Sequence, residues 1–153
     1  MRILMTLVLV MGGLALCTPG YAEPSTKYDA DLARQLGADD YGMRHYVMAF
    51  LRTGPKRSES KEAARALMKA HLANIRRLAQ MGKLVLAGPF TGKGDLQGLY
   101  LFDVKTVEEA RRLTATDPAV RAGVFVMELH PWYGSAALMQ VIEISERIEK
   151  KTF

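Results

Sequence analysis

Apolar residues recur along this chain with two different periods, and the switches between them mark out its elements. His45-Tyr46-Val47-Met48-Ala49-Phe50-Leu51 is aromatic and β-branched and predicts a first strand, which Thr53-Gly54-Pro55 ends. A polar stretch over 58–62 leads into Ala64, Leu67, Met68, Ile75, Leu78 and Ala79, whose spacing is helical; that helix runs to about Met81, and Gly82 closes it. Residues 83–88 predict a second strand, 89–97 a glycine-rich connection, and 99–104 a third strand. Thr106-Val107-Glu108-Glu109 has the spacing of a capping box and opens a helix through about Thr114. Asp117-Pro118 sets up a helical turn, 123–129 predicts the fourth strand, and Pro131-Trp132-Tyr133-Gly134 reads as a loop. A C-terminal helix is expected over 136–150, with Leu138, Val141, Ile142, Ser145 and Ile148 along one face, although 141–144 also suits an extended chain. Ahead of the first strand, 28–36 predicts a short helix stopped by Gly37, and 38–43 a connector.

The order strand, helix, strand, strand, helix, strand is the ferredoxin-like βαββαβ arrangement, an α+β fold with an antiparallel sheet. A strand with one wet face alternates apolar and polar residues. Here Tyr46, Met48 and Phe50 oppose Val47, Ala49 and Leu51. Leu99 and Leu101 oppose Tyr100 and Phe102, and Phe125, Met127 and Leu129 oppose Val124 and Val126. Both faces ask for a cover, and the two helices supply only one. A second copy of the sheet is the simplest other cover, which makes the chain a homodimer; the C-terminal helix of the same chain is the alternative.

Residues 1–22 change the picture of the compartment. Met1-Arg2 is a short positive start, residues 3–16 are almost wholly apolar, and Gly20-Tyr21-Ala22 places small residues where a signal peptidase reads them. The apolar run is 14 residues, short of the roughly 18–20 needed to span a bilayer. Cleavage after Ala22 and a periplasmic or secreted mature protein are expected, with no stable membrane span. A lipoprotein reading of Cys17 meets Leu16 where a small residue belongs. Cys17 is the one cysteine, so the mature chain has no thiol and no disulfide. The remaining length suits one domain: an extension over 23–43, a main domain over 44–135 and a C-terminal extension over 136–153. Removal of Arg2 takes one charge from a formal +5, and the remaining basic residues are interspersed with acids, which argues against nucleic acid as a partner.

His71 is the most informative side chain. It lies four after Leu67 and four before Ile75, inside the apolar stripe of the long helix, and so points inward or toward a cleft. An imidazole there is either a core histidine bonded to backbone or a proton-transfer group. Asp117 is either the cap of a turn with proline at its first position, or a carboxylate that orients a histidine. His130 ends the fourth strand, and Trp132 and Tyr133 suit a pocket wall or a packed seam; His45 reads as structural. Three histidines with no His-x-x-x-His pair make a poor metal site, so no metal is expected. Gly88-Pro89-Phe90-Thr91-Gly92-Lys93 has three residues between glycine and Gly-Lys where a phosphate-binding loop has four, and Gly94 follows the lysine; a hairpin connection fits better.

Ala70-His71-Leu72-Ala73-Asn74-Ile75, the 82–90 segment ending Gly88-Pro89-Phe90, Asp117-Pro118-Ala119-Val120 with Ala122-Gly123, and His130-Pro131-Trp132 follow one another as in YCII-related proteins. The resemblance spans about residues 44–135 and rests on the ordered set rather than any one piece. It implies a ferredoxin-like fold assembled as a dimeric α/β barrel. It also implies a site made of the helix histidine and the Asp-Pro aspartate, which carry over to His71 and Asp117. Pro89, Phe90, His130 and Trp132 are the candidate substrate-binding residues. Related proteins include some that act on small, often chlorinated, aromatic compounds by acid–base elimination. The signal peptide and both extensions are departures from the basic domain. Two functions remain open: a cofactor-free lyase or isomerase acting on a small organic molecule, and a non-catalytic binding or assembly module in which the His-Asp pair is structural.

Overall fold

The structure is a computed structural model that describes residues 28–151. The expected signal peptide and the 23–27 leader lie outside the described residues. Helix α1 (Ala30–Leu36) is capped by Asp29, whose carboxylate accepts from the backbone N–H groups of Asp31 and Leu32. Strand β1 (Met43–Thr53) leads to the long helix α2 (Lys61–Gln80), which Ser60 caps through the N–H of Ala63. Strands β2 (Leu84–Pro89) and β3 (Leu96–Phe102) form the hairpin expected from the Gly92–Asp95 chemistry. Helix α3 (Val107–Thr114) opens on the Thr106 cap, and the single turn α4 (Pro118–Arg121) opens on Asp117. Strand β4 (Phe125–Ser135) is followed by a 3-10 turn, Ala136–Gln140, and by α5 (Val141–Ile148).

Among the described residues the sheet has the order β2-β3-β1-β4, with every neighbouring pair antiparallel. This is the ferredoxin-like α+β fold. Residues 131–134 correct the sequence reading: they are not a loop but the second half of β4, in which Pro131, Trp132, Tyr133 and Gly134 pair with Val47, Tyr46, His45 and Arg44. β4 is an edge strand, where a proline is tolerated. The glycine serves the tryptophan: a Cβ on Gly134 would sit 2.1 Å from the Trp132 ring. The C-terminal segment is likewise less regular than one helix over 136–150, since the 3-10 turn intervenes before α5.

The two sheet faces are covered differently. On one face Val47, Ala49, Tyr100 and Phe102 pack against Leu78 of α2 and Ala110 of α3, all nearly or fully buried. This is the main core. On the other face Tyr46, Val85 and Leu101 are buried beneath Leu138 and Met139 of the 3-10 turn, with Trp132 alongside. The C-terminal segment of the same chain therefore supplies part of the second cover. It covers the end of the face nearest Tyr46. Toward the other end Val126 stays 47% exposed, and Arg52 pairs with Glu128 and Asp95.

At the far end of β1, Gly54 lies against the start of β4. A Cβ there would fall 2.2 Å from the carbonyl oxygen of Gly123. The close approach lets Gly54 N–H reach Val124 O at 2.7 Å and places the α4–β4 junction over the sheet. Asp117 opens α4, just ahead of that junction, on the helix-covered side of the sheet.

Candidate active site

His71 sits in the middle of α2 on the face that meets the sheet, with Asn74 and Leu78 following it at helical spacing. It is 5% exposed and Asp117 is fully buried. The two meet: His71 Nδ1 lies 2.7 Å from Asp117 Oδ2. The other carboxylate oxygen, Oδ1, accepts from Ala119 N–H at 2.8 Å. An ionised carboxylate can only accept, so with Oδ1 taken by Ala119 the proton of the 2.7 Å contact belongs to Nδ1, and Nε2 is the ring nitrogen left for a further partner. Nε2 faces the hydroxyl of Tyr100 at 3.3 Å. The rings of Tyr100 and Phe125 flank the imidazole at 6.3 and 5.3 Å between centroids.

A second set of contacts holds the aspartate in place. One turn past His71, Asn74 Oδ1 accepts from Arg77 Nη2 at 2.8 Å and from the Thr116 hydroxyl at 3.1 Å. Arg77 also donates to Thr116 Oγ1 at 2.8 Å. Helix α2 is thereby tied to the residue before Asp117, and Asp117 N–H closes a turn on Thr114 O. The pair is fixed from both sides, as a group that must orient an imidazole has to be.

A cavity of about 450 Å³ opens onto this chain of groups. His71 and Tyr100 reach it among the apolar side chains Leu51, Leu72, Ile75 and Phe125. Pro89 and Phe90 line it from the β2 edge, and Arg76, Gln97 and Glu149 add polar groups. The volume suits a small organic ligand. Burial, and after it the charge of Asp117, pushes the Tyr100 phenol far above its ordinary value, so the hydroxyl keeps its proton throughout the usual pH range.

The structure thus brings His71, Asp117, Pro89 and Phe90 to one place. It does not bring His130 or Trp132. His130 is exposed beside Glu128, at 2.9 Å, with its ring edge-on to Phe50. Trp132 packs against Tyr46 on the opposite sheet face. The strand period decides this, because even-numbered β4 residues point away from α2. His45 stands at the surface beside Tyr133, at 5.1 Å between rings. Tyr100 and Asn74 escaped the sequence reading. Asn74 had a signal, three residues after His71 on the same helical face. Tyr100 had none beyond its alternation with Leu99 and Leu101. Among the described residues no group of three or more His, Cys, Asp or Glu is placed to hold a metal ion.

The family model described as the YCII-related domain matches residues 48–133. No curated protein matches the chain at a significant level. Among solved structures, the chain is similar to 5-chloro-2-hydroxyhydroquinone dehydrochlorinase (TftG) from Burkholderia phenoliruptrix AC1100, in complex with 2,5-dihydroxybenzoquinone. The identity is 23%, the TM-score is 0.43, and the match covers 57% of this chain and 92% of that one.

Proposed function

Starting from a chain that belongs to the YCII-related domain family, we propose a cofactor-independent acid–base enzyme of lyase or isomerase type, acting on a small organic molecule. The observation that carries this is the His71–Asp117 pair at 2.7 Å, with His71 in the wall of a cavity of about 450 Å³ and Asp117 buried behind it. A histidine packed solid on all sides would favour a binding or assembly module; a cavity that reaches it favours an enzyme. In the proposed reaction a proton leaves the ligand and the imidazole is its final acceptor, at Nε2. Asp117 keeps the ring in the Nδ1–H form and offsets the charge that appears on it. The apolar wall excludes water and strengthens that interaction. Pro89 and Phe90 shape the β2 side of the pocket.

The test is a panel of chlorinated hydroquinones and 1,3-diketones incubated with the protein in D2O, followed by NMR for hydrogen exchange and by chloride release. The expected result is turnover that falls by about 10²–10⁴-fold in His71→Ala and in Asp117→Asn, each still folded by circular dichroism. Wild-type rates in both variants would sink the enzyme reading in favour of the binding module. Export of a mature chain that begins at Glu23 belongs to the same proposal and is supported by the charge and apolar pattern of residues 1–22. So does a homodimer, supported by the half-covered outer sheet face.

A further inference from the structure

We propose that Tyr100 is the group that exchanges protons with the ligand, with His71 behind it as the acceptor. The proposal rests on the acid–base reading above and adds a catalytic residue to it. Nδ1 of His71 is committed to Asp117 at 2.7 Å, and Nε2 faces the Tyr100 hydroxyl at 3.3 Å. Neither ring nitrogen is left for a ligand while that hydroxyl stays in place.

Several features hold it there. β3 is an interior strand, paired with β1 on one side and β2 on the other, so the backbone under Tyr100 is held along both edges. The Tyr100 ring is wedged edge-on against Phe102 at 5.8 Å between centroids, and the residue is 2% exposed. Tyr100 nevertheless lines the cavity, and its oxygen keeps lone pairs that can take a ligand proton. The 3.3 Å separation is longer than a well-formed O–H···N bond and leaves room to tighten when a ligand fills the pocket.

In the relay the acidic C–H or O–H bond of the ligand breaks, and its proton goes to the phenol oxygen. In the same step the Tyr100 O–H bond breaks, and that proton goes to Nε2 of His71. The resulting imidazolium is held by the Asp117 carboxylate. The electron pair stays on the ligand, where it either forms a double bond with loss of a leaving anion or forms an enolate that is reprotonated by the reverse path. Tyrosine carries no charge at either end of the step. Burial and the neighbouring carboxylate raise the cost of a phenolate, so a hydroxyl here must gain one proton as it gives another. The ligand class that fits is a small, mostly apolar molecule whose acidic proton lies next to an electron-withdrawing group.

The experiment measures Tyr100→Phe beside His71→Ala on the same panel, with ligand affinity read separately by calorimetry. The relay predicts that Tyr100→Phe loses at least about 100-fold in kcat with affinity little changed, as His71→Ala does. A Tyr100→Phe protein at the wild-type rate, with His71→Ala inactive, overturns the relay and leaves the acid–base reading standing. A His71→Ala protein as active as wild type overturns both. Should Tyr100→Phe fail to fold, the wild-type protein is assayed in H2O and in D2O on a ligand whose acidic proton is a carbon-bound C–H that does not exchange: the relay moves the solvent-exchangeable Tyr100 proton in the rate-limiting transfer and predicts a lower kcat in D2O. An equal kcat in the two solvents overturns the relay.

Discussion

At the scale of single residues, the site is a line of three polar groups set into apolar surroundings. Two of them, His71 and Asp117, are legible in the sequence as chemistry; Tyr100 is not. His71 stood out because a histidine interrupts an apolar helical stripe, and the Asp-Pro pair stood out as a cap. The structure makes Asp117 both at once: its Oδ1 caps α4 through Ala119 N–H, while its Oδ2 holds His71. The two readings weighed from sequence were not exclusive, because a carboxylate has two oxygens. Tyr100 supplies a prediction of its own. Its folded pKa is raised well above the ordinary value of about 10, so the neutral phenol is the form the fold favours. The stabilisation is complete below about pH 10 and is lost as pH rises beyond it, since only the unfolded chain then releases the proton. Urea denaturation between about pH 8 and 11 is expected to show stability falling on the alkaline side, with a shallower fall in Tyr100→Phe. Equal slopes in the two proteins would contradict the assignment.

At the scale of elements, the strands and helices follow from period and capping, and the departures have local causes. β1 and β4 are longer than their apolar runs because the two ladders continue past them: Met43 pairs with Ser135 and Thr53 with Phe125. Pairing, not side-chain pattern, sets those ends. The Pro131–Gly134 stretch carried turn residues but sits at an edge, where its partner strand draws it into the ladder. The C-terminal segment was expected as one helix, and its work is done by the 3-10 turn that sets Leu138 and Met139 over Tyr46, Val85 and Leu101. Leu138→Asp is therefore expected to cost about 1–3 kcal/mol, by exposing this small core and burying an unpaired charge. Thermal unfolding followed by circular dichroism reads the effect; a melting temperature equal to wild type would mean that the turn is only loosely seated.

At the scale of the whole molecule, the question is what covers the rest of the outer face. Strand composition called for a cover on both sides, with a second copy or the C-terminal segment as the candidates. The C-terminal segment takes one end, and the surface around Val126 and the half-buried Phe50 is left with a polar border of Arg52, Glu128 and His130. A dimer formed through this surface predicts twice the chain mass in light scattering, and a monomer on Val126→Asp with an unchanged far-ultraviolet spectrum. A wild-type monomer at micromolar concentration would end that proposal. Export is tested on the same scale: N-terminal sequencing of protein from the periplasmic fraction is expected to begin at Glu23. A cytoplasmic chain that retains residues 1–22 would refute it.

By itself the sequence determined the βαββαβ order, the placement of His71 on the buried stripe of α2, and the family to which the ordered motifs point. These are properties of near neighbours along the chain, where period, capping and turn chemistry operate. The tertiary structure alone decided which distant residues share a site. His71 and Asp117 are 46 positions apart, and only the packing of the α4 turn against α2 closes that gap. It sent Tyr100 to the imidazole and His130 to the far side of the same sheet, because a strand alternates faces and register decides which face is which. It also showed that the cover over the second face begins within the chain, which depends on where the C-terminal segment folds back rather than on what that segment is made of.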